Sequence, residues 1–184
     1  MMKKQNNNIH QQVIDEVRRR NQNFYPSMTL AMEDDPRNSV SDRLLNRLSV
    51  GEVIRNRSDI SGSSPEQVAL FQSQFSPWNM NQHPFDHVDA LDPQRVAEAY
   101  NDWDKSAKTN FSKGATHFYN PAVSKPDWRN DGSKTETVGR GDFKHIFLKG
   151  IDFPQTPKHG ESSGERLNQL IGEYSTRHRL KQRR

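Results

Sequence analysis

Three consecutive acids, Glu33, Asp34 and Asp35, close a short apolar run, Leu30-Ala31-Met32, and stop at Pro36. At a helix C-terminus, acids oppose the local dipole. Acids set against their local preference invite a functional reading. A second stretch with chemical potential is Gly114 to Pro121, continuing to Pro126-Asp127-Trp128. Pro121 disfavours helix at Asn120 and Pro126 does so at Lys125. The expectation is a short extended piece followed by a rigid turn, whose aromatic faces serve either the core or a ligand. A third cluster, His83, Asp86, His87 and Asp89, holds metal-ligand residue types. It sits among prolines with no clear helix, and His-Glu-x-x-His is absent. The chain has no cysteine, which excludes a thiol nucleophile and a Cys-rich zinc site. Gly-x-Ser-x-Gly is missing, and no Gly-rich phosphate loop follows a strand. What remains is carboxylate chemistry beside an aromatic groove, the combination carbohydrate cleavage requires. No metal or cofactor is expected.

The elements that must position these residues are mostly helical. Ile9, Val13 and Val17 predict an N-terminal helix closed by Arg18, Arg19 and Arg20. Residues 21–27 are read as a break, with Ser27 capping a helix that includes Leu30, Ala31 and Met32. Ser39 or Ser41 caps the strongest helix, with Val40, Leu44, Leu45, Leu48, Val53 and Ile54 as its apolar stripe. Gly51 weakens it midway and Arg55-Asn56-Arg57 closes it. A short helix begins at Pro65, and residues 79–92 read as irregular. Asp92-Pro93 then looks like an N-cap with Pro at the first helical position. Val96, Ala97, Tyr100, Trp103 and Ala107 are expected to form its buried face. A strand and turn fit Thr135 to Asp142, and a strand fits Phe143 to Leu148, with Phe143, His145 and Phe147 on one side. Pro154, Pro157, Gly160 and Gly164 mark a linker, followed by an amphipathic helix through Leu167, Leu170, Ile171 and Tyr174. The expected organisation is a helical arm at 1–20, a domain at 21–150, and a linker, helix and basic tail at 151–184.

The order of motifs resembles the SleB-type cell wall hydrolases, a family that includes spore cortex-lytic enzymes and phage-encoded relatives. A Glu ends a short apolar helix. A long helix closes in Val53-Ile54-Arg55-Asn56-Arg57. Then come Gln74-Phe75-Ser76, Gly114-Ala115-x-x-Phe118-Tyr119-Asn120-Pro121 with Trp128, and His145-x-Phe147. The resemblance covers about residues 30–148. It implies an α+β, mainly helical, lysozyme-like domain with a small β element. It also implies cleavage of the β-1,4 link between N-acetylmuramic acid and N-acetylglucosamine, as in lytic transglycosylases, which use one catalytic Glu. Carried over by position, Glu33 is the general acid, with Glu52 as the fallback. The family's second Glu is replaced here by Asp34, Asp35 and Pro36. Gln74, Tyr119, Asn120 and His145 are the expected substrate-binding residues, and Asn56 and Arg57 are expected to hold the helix end. Phe75, Trp78, Phe118 and Trp128 divide between sugar stacking and core.

The composition bounds the setting. The chain has 184 residues, 30% of them hydrophobic, and a mean hydropathy of −1.08, so the core is small and the loops or tails extensive. The net charge of +4 is uneven. Arg177, Arg179, Lys181, Arg183 and Arg184 face no acid after Thr176, and the other 22 basic residues are matched by 23 acids. The basic end suits an anionic partner. No apolar run reaches bilayer length, and the N-terminus lacks an apolar signal core. Taken with the resemblance, the expected partners are peptidoglycan glycan strands, other phage virion proteins and an anionic partner for the basic tail. The expected location is a phage particle acting in the host envelope, or the bacterial cytoplasm before release as an endolysin. Two other classes remain open: a virion adaptor that keeps the fold without activity, and a nucleic-acid-binding accessory.

Overall fold

The computed structural model describes residues 22–70, 75–79 and 84–153. The expected N-terminal arm, Gln74, His83, and the linker, helix and basic tail beyond residue 153 lie outside the described residues. The fold is α+β and mainly helical.

Helix α1 covers residues 22–33. It runs straight through the expected break. Pro26 lacks the N–H that would reach residue 22, so the loss falls at the first carbonyl of the described helix. Tyr25, Met28, Leu30 and Ala31 are buried on it, which outweighs one missing bond. Ser27 is therefore a buried interior residue and not the cap. Thr29 Oγ1 donates back to the Tyr25 carbonyl at 2.7 Å and accepts from Trp78 Nε1 at 2.8 Å. Trp78 and Phe75 are core residues.

Helix α2 (Val40–Ser61) is capped by Ser39, whose hydroxyl accepts from the Asp42 N–H at 3.1 Å. It ends one turn later than expected. Gly62 at φ 68° gives a left-handed exit and bonds the Ser58 carbonyl, the conformation glycine adopts without penalty. Val40, expected to open the apolar stripe, is instead 81% exposed. The buried side of α2 instead includes Asn46, Arg47, Glu52 and Arg57 beside Leu48, Val50, Val53 and Ile54. The helix is enclosed on more than one face, so its buried surface is partly polar.

Helices α3 (Pro65–Leu70), α4 (Ser76–Asn79) and α5 (Pro84–Asp89) follow. The stretch read as irregular thus contains a helix opened by Pro84, where a missing N–H costs nothing. Helix α6 (Pro93–Ser106) starts as its sequence predicts, with Asp92 accepting from Gln94 N–H at 2.7 Å. Its inner face is rotated from the expected one. Ala99, Asp102, Trp103 and Ser106 are buried, while Ala97 and Ala107 are exposed. An ion pair between Asp102 and Arg47 draws that side inward.

Strand β3 (His145–Lys149) is the centre of a three-stranded antiparallel sheet, between β1 (His117–Tyr119) and β2 (Ser133–Val138). Phe143 lies in a single 3-10 turn before β3 and is not part of the strand. Phe118 pairs with Phe147, and Tyr119 with Ile146.

Gly51 lets α2 approach α6. A Cβ there would lie 2.7 Å from Ser106 Oγ and 2.8 Å from Ser106 Cβ. Gly51→Ala gains about 1 kcal/mol of helix propensity. Overpacking costs about 1–3 kcal/mol, and the Ser106 hydroxyl is tied to Arg55 and the Trp103 carbonyl. A lowered thermal midpoint is expected. An unchanged or raised midpoint would show that the helix pair yields freely.

Candidate active site

The site begins at the C-terminus of α1, where three acids meet a helix end that repels them. Side chains from other helices resolve the conflict. Arg95 Nη2, from α6, donates to the carbonyls of Ala31, at 2.9 Å, and Asp34. Asn46 Nδ2, from α2, donates to the Glu33 carbonyl at 3.0 Å. Side chains thus satisfy the carbonyls of Ala31 and Glu33 in the last turn, and the guanidinium offsets the negative end of the dipole.

The three carboxylates then diverge. Asp34 is buried and accepts from Arg43 at 2.9 and 3.0 Å and from Arg47 at 2.7 Å. Among the described residues Asp35 takes its three bonds from Arg37, from the backbone N–H at 2.9 Å and from the guanidinium at 2.9 and 2.6 Å, which holds its carboxyl below the usual range. Glu33 has no such partner: among the described residues nothing hydrogen-bonds its carboxylate. Burial pushes its carboxyl up from 4.5 to about 7, against the attraction of Arg57. Desolvation without a bonded cation favours the neutral form. Glu33 is the one acid of the three suited to hold a proton near neutrality and give it away.

Glu33 lines a groove of about 680 Å³, with Asp35, His87, Arg95, Asn120 and His145 among its walls. One side is the end of α1 and its loop. Another is α5 and the segment after it. The third comes from the sheet and its loops. Asn38 fastens two of these sides, donating to the Phe143 carbonyl at 2.9 Å and accepting from Arg140 N–H at 3.3 Å. Arg37 lies over the Phe143 ring at 3.9 Å, a cation–π contact on the same rim.

The structure brings Glu33, Asn120 and His145 to this groove, but not Tyr119. Side chains alternate along a strand, and the pairing of Phe118 with Phe147 puts Phe118 on the side of His145. Tyr119 therefore sits on the opposite face, edge-on to Trp128 at 5.9 Å. Asn120 lines the groove with its amide already engaged. Its Nδ2 donates to the Asp142 carbonyl at 2.8 Å, and its Oδ1 accepts from Ala122 N–H at 2.9 Å. It shapes the turn after β1, leaving one N–H and one lone pair. His145 Nδ1 meets Asn46 Oδ1 at 2.7 Å, and burial pushes its ring down to about 4.

Glu52 is neither in this groove nor facing solvent. It is buried, and its oxygens accept from the N–H groups of Phe111 at 2.9 Å and Ser112 at 2.6 Å. It anchors the loop before β1. The Asn56-Arg57 pair holds the same lead-in to β1: Asn56 Nδ2 donates to the Ala115 carbonyl at 2.8 Å and Arg57 Nε to the Thr116 carbonyl at 2.5 Å. Among the described residues no cluster of three or more His, Asp or Glu could hold a metal ion, and no helix is long and apolar enough to cross a membrane.

Sequence reasoning missed Asn46 and Arg95. Asn46 had a signal, since it lies four residues before Val50 on the side that carries Val53, Ile54 and Arg57. Arg95 had none, because its partners are more than 60 residues away.

A model of the cell wall hydrolase family matches residues 42–148, beginning after Glu33. No curated protein matches the sequence. Among solved structures, the chain is similar to the catalytic domain of the germination-specific lytic transglycosylase SleB from Bacillus anthracis. The identity is 18%, over 69% of this chain and 94% of that one, with a TM-score of 0.49. The family match spans more than half of the chain, which therefore belongs to the cell wall hydrolase family, enzymes of peptidoglycan degradation.

Proposed function

We propose that this chain cleaves the β-1,4 bond between N-acetylmuramic acid and N-acetylglucosamine in peptidoglycan, with Glu33 as the proton donor. The carrying observation is the sorting of the three acids: two are bound by arginines, and the third is desolvated on a groove wall. Protonated Glu33 gives its proton to the glycosidic oxygen, and the sugar centre develops oxocarbenium character. A second protein carboxylate is poorly supplied, because Asp35 lines the groove with both oxygens on Arg37. That favours capture of the cation by the substrate itself, through its N-acetyl oxygen or its 6-hydroxyl. The second route ends in an anhydro sugar.

Mass spectrometry of muropeptides released from purified sacculi tests this. Anhydro ends are expected. Reducing ends would assign hydrolysis, and release of nothing would favour the adaptor reading, a virion protein that keeps the fold without activity. Delivery in a phage particle is part of the proposal on the strength of the amphipathic and basic terminal sequences. Detection of the chain in purified particles decides it.

A further inference from the structure

The groove contains a second polar group whose state is set by geometry. Asn46 Nδ2 donates to the Glu33 carbonyl, which fixes the orientation of the amide. Its Oδ1 therefore faces His145 Nδ1. An amide oxygen only accepts, so Nδ1 must carry the proton, and in the neutral ring Nε2 is bare. Phe118 meets the imidazole edge-on at 5.1 Å and Phe147 does so at 6.4 Å, leaving the ring little freedom to turn. Among the described residues Nε2 has no partner, and it is not one of the buried unpaired atoms. His145 lines the groove that holds Glu33.

We propose that Asn46 locks His145 as the Nδ1–H tautomer, so that Nε2 accepts a hydrogen bond from an O–H or N–H donor of the sugar beside Glu33. This rests on the peptidoglycan reading above and adds the polarity of the contact and the residue that sets it. His145 is a substrate-positioning acceptor and not a general base. A ring pushed down to about 4, even with Asp35 opposing the shift, binds a proton too weakly to remove one near neutral pH. Asn46 touches the reaction only through His145 and the backbone of Glu33, as a positioning residue.

Nitrogen-15 NMR of histidine-labelled protein tests the tautomer without any turnover. Nδ1 should be protonated and Nε2 bare from pH 5 to 8. Titration with N-acetylglucosamine oligomers should move Nε2 upfield. Glucose oligomers of the same length separate the donors: a matching shift identifies a ring hydroxyl, and its absence identifies the acetamido N–H. Asn46→Asp would favour the charged ring and turn Nε2 into a donor. It should lower kcat/KM on sacculi about 10- to 100-fold, the size of a lost hydrogen bond in a site built to accept one. His145→Gln, which can offer an amide oxygen, should retain more activity than His145→Phe. A proton on Nε2 in the wild type, or an Nε2 signal indifferent to both oligomers, overturns the inference. If Nε2 responds and sacculi stay intact, the inference stands and the enzymatic reading falls.

Discussion

Glu33→Gln is expected to abolish glycan cleavage and, at alkaline pH, to make the protein more stable. A positioned general acid contributes about 10²- to 10⁴-fold, so residual cleavage should fall at least a hundredfold. The stability effect follows from the same desolvation. Below pH 4.5 the carboxyl is protonated in both folded and unfolded chains. Between 4.5 and about 7 the unfolded chain releases its proton while the folded one keeps it, so stability falls as pH rises through that window. Above it, the wild type has lost about 3 kcal/mol relative to a permanently neutral side chain. Gln never ionises. The advantage of the variant should therefore be near zero at pH 4.5 and fully present at pH 8, as a midpoint higher by several degrees. The wild-type rate should fall on the alkaline side through about 7 as the donor ionises. Melts at the two pH values with a sacculus assay check all three. Equal midpoints at pH 8 would mean that the carboxyl is solvated. Retained cleavage would move the acid elsewhere.

What could be read from the sequence was what short-range chemistry decides. Ser39 and the Asp92-Pro93 pair mark helix starts because a cap satisfies N–H groups two or three residues away. The acids after Met32 stood out because the dipole rule is equally local. Their fates were not legible, since the arginines that quench Asp34 come from α2 and the one that caps its carbonyl comes from α6. Tyr119 shows a different limit. It is next to Asn120 in sequence, yet strand pairing decides the face, and that pairing is made with residues near 147. Glu52 shows a third. On a helix its neighbours suggest a surface acid, and only the return of the chain at Phe111 and Ser112 buries it. Pro26 was read by its usual effect, when the burial of Tyr25, Met28, Leu30 and Ala31 on the same helix outweighs the one bond it removes.

The largest loss of stability is expected from Arg47→Met. Arg47 is almost wholly enclosed, and its guanidinium reaches Asp34 at 2.7 Å, Asp102 at 2.8 Å and Glu98 at 3.2 Å. It joins the end of α1 to α6 through α2. Methionine fills much of the volume, so packing loss is small and the carboxylates carry the penalty. Asp34 keeps Arg43, but its Oδ1 already lacks a partner. Among the described residues Asp102 keeps only Lys105, at 3.3 Å and half exposed. Breaking a buried pair by removing one partner costs about 3–5 kcal/mol, to be read as a shift of the urea midpoint at pH 7. Arg43→Met is the control. That side chain is more exposed, and Asp34 retains Arg47, so its loss should be distinctly smaller. The damage should also reach the chemistry. Asp34 follows Glu33 directly, and a loosened α1 end admits water to the Glu33 carboxyl, so its titration should move down from about 7 toward 4.5. The alkaline limb of the pH–rate profile should move with it. Equal losses from Arg43→Met and Arg47→Met, with an unmoved pH limb, would show that the arginines merely neutralise Asp34. The larger loss and the moved limb together would show that this buried cation holds the proposed proton donor in its dry setting.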